Sequence, residues 1–72
     1  MAAEQYDVHG EVLRVLLSKV QADPYPSGTM MDMIEQMLEP DQVPAYAEIL
    51  MEKIRRDRFP SLEMLQRVAK LA

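Results

Sequence analysis

DPYPS at residues 23–27 returns as DRFPS at residues 57–61, and the reading of this pair decides the fold. In each copy an Asp is followed by an aromatic residue, a Pro and a Ser, the pattern of a corner between two helices. The Asp accepts backbone N–H groups of the turn. The Ser is a natural N-cap for the helix that follows. Pro26 and Pro60 stand just before those caps, where each can pack on Met31 or Leu65 as a hydrophobic staple. Tyr25 and Phe59 are then expected to plug the corner.

Outward from the corners, a shift of 34 residues aligns more than the motif. Leu16 pairs with Leu50, Lys19 with Lys53, Asp23 with Asp57, Pro26 with Pro60, Ser27 with Ser61 and Met30 with Met64. Average residue usage would supply roughly one or two identities over such a stretch. The substitutions between copies are conservative as well, among them Val15 for Ile49, Val20 for Ile54 and Ile34 for Val68. The period matches that of tetratricopeptide repeats, but the Trp, Leu-Gly and Tyr pattern of that family is missing, and two units are fewer than a solenoid needs.

Upstream of the first corner, Val8, Val12, Val15, Leu16 and Val20 recur at helical spacing, with Leu13 and Leu17 widening the stripe. Tyr46, Ile49, Leu50 and Ile54 play the same part before the second corner. Downstream, Met30, Met31, Ile34, Met37 and Leu38 form one stripe, and Met64, Leu65, Val68 and Leu71 form the other. Lys19 and Lys53 fall inside the apolar stripes, where each would lay its stem along the seam and reach the Asp four residues on. Between the copies, Pro40 ends one helix and Pro44 suits the first turn of the next.

These spacings predict an all-α chain, a small four-helix bundle built from two duplicated helical hairpins. Its helices are expected near residues 7–22, 27–39, 42–57 and 61–71. The whole of residues 1–72 reads as a single helical domain, with hairpins 7–39 and 42–71 related by a pseudo-twofold.

Composition narrows the function. The chain has no cysteine and one histidine, so a zinc cluster or thiolate chemistry is not expected. Its serines have no plausible base nearby, and Gly10 and Gly28 cannot make a phosphate loop. No enzyme, cofactor or metal is expected, and His9 reads as a surface or core-edge residue. No apolar run approaches the ~18 residues of a membrane span, which together with the missing cysteines predicts a cytoplasmic protein with no membrane partner.

Charge is uneven. Residues 1–52 carry ten acids against Arg14 and Lys19, and residues 53–72 carry six bases against Asp57 and Glu63. The tail FPSLEMLQRVAKLA, residues 59–72, resembles the PSLxxLxxIAxxL stretch of repressor-type helix-turn-helix domains. In that family the stretch follows the recognition helix and carries packing. The turn and recognition helix that should precede it are not legible in residues 30–57, and the internal repeat explains the likeness better.

The function expected is therefore a non-enzymatic protein-interaction module with an unidentified protein partner, or a homo-oligomer. Met33, Met37, Arg55, Arg56 and Arg67 are the candidate partner-binding residues, because Met33 corresponds to Arg67 at the 34-residue offset and thioethers suit adaptable surfaces. Asp23, Tyr25, Pro26 and Ser27, with Asp57, Phe59, Pro60 and Ser61, are read as turn and cap residues. Nucleic-acid binding through the basic region 53–70, and neutralisation of a basic partner in the manner of an immunity protein or antitoxin, are the alternatives.

Overall fold

The computed structural model describes residues 7–59 and 61–71. Among them are four α-helices and no strand, so the chain is all-α. Helix α1 spans Val8–Ala22, α2 Gly28–Met37, α3 Val43–Arg56 and α4 Leu62–Leu71. A short 3-10 turn, Pro40–Gln42, leads into α3. The chain divides into two compact units between Leu38 and Glu39, each a helical hairpin.

In the first hairpin, Asp7 caps α1 by accepting from the Gly10 N–H at 3.0 Å. Gly10 leaves room for this close approach, since a Cβ there would lie 2.3 Å from Asp7 Oδ2 and the carboxylate would have to shift. The helix stops at Asp23, whose Oδ1 accepts from the Tyr25 N–H at 2.9 Å. Ser27 Oγ then accepts from the Met30 N–H at 3.1 Å and opens α2. Pro26 and Met31 are both buried, at the two positions of a hydrophobic staple.

The second corner repeats these bonds. Asp57 ends α3 and its Oδ1 accepts from the Phe59 N–H at 3.0 Å. Ser61 Oγ accepts from the Met64 N–H at 3.3 Å. Pro60, and with it the second staple, lies outside the described residues.

Tyr25 and Phe59 do not plug these corners. They are 79% and 82% exposed. The Asx turn engages the aromatic residue's backbone N–H, and the ring is carried outward while the small Pro26 fills the inner side.

The buried face of α1 also differs from the expected stripe. Leu13 and Val20 are buried, with Leu16 and Leu17 half-buried beside them, whereas Val8, Val12 and Val15 are exposed. Lys19 is exposed too, and it does not lie in a covered seam. At 100° per residue the helix carries two apolar faces, and the one richer in leucine packs on α2, where longer side chains bury more area. Met31 and Ile34 complete this core. In α3 the buried residues are Tyr46 and Leu50, and in α4, which packs on α3, Met64 is buried.

Helix α2 ends at Met37, two residues before the expected limit. Glu39 precedes Pro40, which excludes it from helical geometry, and both Leu38 and Glu39 are extended. Gln42 turns back to accept from the Glu39 N–H at 2.9 Å, closing a capping box around the 3-10 turn. Pro44 falls in the first turn of α3, where its missing N–H costs nothing.

Candidate interaction surface

Among the described residues no three His, Asp or Glu side chains could hold a metal ion. Among them also, no helix is long and apolar enough to cross a membrane. What the hairpins offer instead is exposed apolar surface and paired charge.

The five residues singled out for partner binding do not share one environment. Met33 is 44% exposed on α2, and Met37 is half-buried at that helix's end. Arg67 reverses the expectation: its side chain is only 12% exposed, and Nη2 donates to Glu63 Oε2 at 2.9 Å. It therefore does not extend a solvent-facing basic edge with Arg55 and Arg56. The Arg67 side chain is instead largely covered, with its guanidinium held by Glu63 of the same helix.

Arg55 and Arg56 are exposed but occupied. Arg55 Nη1 lies 3.0 Å from Glu48 Oε1 and 3.8 Å from Glu52 Oε2, while Arg56 Nη2 lies 3.6 Å from Glu52 Oε1. The hydrogen bond and charge of Glu48 hold the Arg55 guanidinium above its ordinary pKa. The basic end of α3 thus carries its own counter-charges, spaced along the helix by one or two turns. Such solvent-facing pairs add little to stability. Their effect here is to lower the positive potential that residues 53–58 suggest in one dimension.

His9 is placed by the tertiary fold. Its Nε2–H donates to the Met37 carbonyl oxygen at 2.9 Å, across from α1 to the last turn of α2. That turn contains no basic residue of its own. A donor supplied by the neighbouring helix satisfies a carbonyl that the helix end leaves open. Nothing in the spacing of DVHGEV indicates this role.

Among the described residues, apolar side chains besides Met33 also face solvent. On α1 the exposed valines Val8, Val12 and Val15 lie at i, i+4 and i+7, with exposures of 61%, 38% and 53%. A hollow of about 270 Å³ opens on this face, lined by Glu11, Val12, Val15 and Leu16. In the second hairpin Phe59, Leu62 and Leu65 are exposed around the start of α4, with Leu62 and Leu65 one turn apart. Tyr25 stands exposed at the first corner.

The valine stripe could be counted from the sequence, but its openness could not, because α1 offers two apolar faces and only packing selects between them. The rings of Tyr25 and Phe59 were legible as a repeated position and misjudged in direction. Against family models, curated proteins and solved structures alike, the chain finds no match, so its function is argued from these surfaces alone.

Proposed function

We propose that the chain is a non-enzymatic protein-interaction module of the cytosol. The observation that carries this reading is the exposed group Phe59, Leu62 and Leu65 at the opening of α4. Aromatic residues are enriched at the cores of protein interfaces, and Phe59 is exposed here close in sequence to two exposed leucines. The Asp57 carboxylate accepts from the Phe59 N–H, and Ser61 Oγ caps the start of α4.

The pairing of Arg55, Arg56 and Arg67 with glutamates of their own helices speaks for a protein partner over a polyanion. A phosphate backbone would have to compete with carboxylates already in place.

The test is affinity capture by the tagged full chain, with and without nuclease, beside a Phe59→Ser/Leu62→Ser variant. Both side chains are exposed, so the variant should keep its helical circular dichroism. A protein recovered by the native chain despite nuclease, and lost with the variant, supports the module. Recovery that vanishes with nuclease, or that the variant leaves unchanged, overturns it.

A further inference from the structure

We infer that the valine face of α1 is a homotypic interface, on which a second copy of this chain packs its own α1 antiparallel. This goes beyond the module proposed above, since it uses a different hairpin and names its occupant. The stripe begins with Val8, Val12 and Val15, and Lys19 continues it one turn on, at i+11. All four are exposed. β-Branched side chains lose little rotamer freedom when covered, and a row of them open to water on one helix marks a contact surface. The hollow beside Val12, Val15 and Leu16 gives a facing side chain somewhere to enter.

Charge selects both the occupant and its direction. The N-terminal end of the stripe is acidic, with the exposed Asp7 and the half-buried Glu11 at its edge, whereas its C-terminal end carries the exposed Lys19. Two copies laid antiparallel set Val12 of one against Val15 of the other, twice by symmetry. The same register brings Lys19 of each copy beside Asp7 and Glu11 of the other. A parallel pairing would instead put acid on acid and lysine on lysine. Self-complementarity of this kind is what a twofold contact demands. Glu11 also pairs with Arg14 of its own helix, but that pair is exposed and gives way cheaply to a better one.

Size adds an independent reason. A chain of 72 residues without a disulfide draws only a modest stability from its core, and association is one common remedy. The first hairpin's buried apolar side chains are few, Leu13, Val20, Pro26, Met31 and Ile34. Covering three more valines enlarges that core.

The experiment is sedimentation equilibrium on the full chain, over micromolar to millimolar concentration, with circular dichroism on each variant. The native chain should sediment as a dimer. Val15→Glu should give a folded monomer. Lys19→Glu and Glu11→Lys should each weaken the dimer about tenfold, and the double exchange should restore it, because the partners meet across the interface. A native chain that stays monomeric throughout overturns the proposal. So does a dimer indifferent to Val15→Glu, or a double exchange that behaves as the sum of its singles.

Discussion

The two hairpins share a corner and differ in the face they bury. At Asp23–Ser27 and Asp57–Ser61 the same side chains accept the same backbone donors, with distances that agree within a few tenths of an ångström. Away from the corners the agreement ends. Helix α1 buries Leu13 and Val20, whereas α3 buries Tyr46 and Leu50. At the 34-residue offset Tyr46 stands where α1 has the exposed Val12, and Leu13 stands where α3 has Ala47. Relative to the shared corner, the covered azimuth turns by about 70° at 100° per residue. The partner helices follow, Met31 and Ile34 in α2 giving way to Met64 in α4.

The cause is the placement of bulk. A Tyr brings far more area to cover than a Val, and an Ala at position 47 brings almost none, so α3 turns its Tyr46 inward. In α1 the leucine at position 13 claims the covered place and leaves Val12 outside. The corner cannot respond to such changes, because its bonds run between residues at most three apart. Turn chemistry is therefore constant where packing is not.

The largest expected effect tests this difference with one residue type. Leu16 and Leu50 are identical at the offset, but Leu50 is fully buried and Leu16 only half so. Leu50→Ala should cost ~2–5 kcal/mol, which for a chain of this length removes most of its stability. Leu16→Ala should cost no more than about half as much, in proportion to the area it buries. Urea unfolding at one fixed protein concentration measures both, and equal losses would mean that the two hairpins bury the same face after all.

The caps should behave alike. Ser27→Ala and Ser61→Ala are each expected to lose ~0.5–2 kcal/mol in the same urea titration. A loss at one site only would break the equivalence of the corners.

A smaller and one-sided effect is expected at His9. Its bond to the Met37 carbonyl has no counterpart in the second hairpin, where the offset places Val43. His9→Ala should cost ~0.5–1.5 kcal/mol, the net value of one hydrogen bond, and hydrogen exchange should show the loosening at the end of α2 and not in α4. Protection lost equally in both helices would refute a local role.

The smallest effect belongs to the exposed pairs of α3. Glu48→Gln frees Arg55 from its strongest partner, yet the unfolding midpoint should stay within error, because both groups face water. A clear loss of stability would show that the acidic and basic turns of α3 do more than balance charge.

Much of the architecture can be read without coordinates. The number of helices, their all-α class and the caps at Ser27 and Ser61 follow from residue types at fixed local spacing. So do the stops at Asp23 and Asp57 and the Pro44 start. The 3-10 turn at Pro40–Gln42 was less visible, since the bond from Glu39 to the Gln42 side chain depends on a rotamer. The candidate surface was legible only in outline. Arg55 and Arg56 could be counted as a basic run, but their pairing with Glu48 and Glu52 depends on side-chain direction around the helix. Met33 is exposed, as a contact residue must be, whereas Arg67 at the same repeat position is largely covered, a difference that depends on how α4 packs.

What the sequence by itself determined is local: where each helix begins and ends, and which side chain holds each turn. These features rest on hydrogen bonds between near neighbours, whose partners are named by their order in the chain. What only the tertiary structure decided is which of two apolar faces α1 covers, where the rings of Tyr25 and Phe59 point, and which helix end His9 satisfies. Each of those is a competition for a limited covered area or an open carbonyl, and its winner depends on side chains brought near by folding from many residues away.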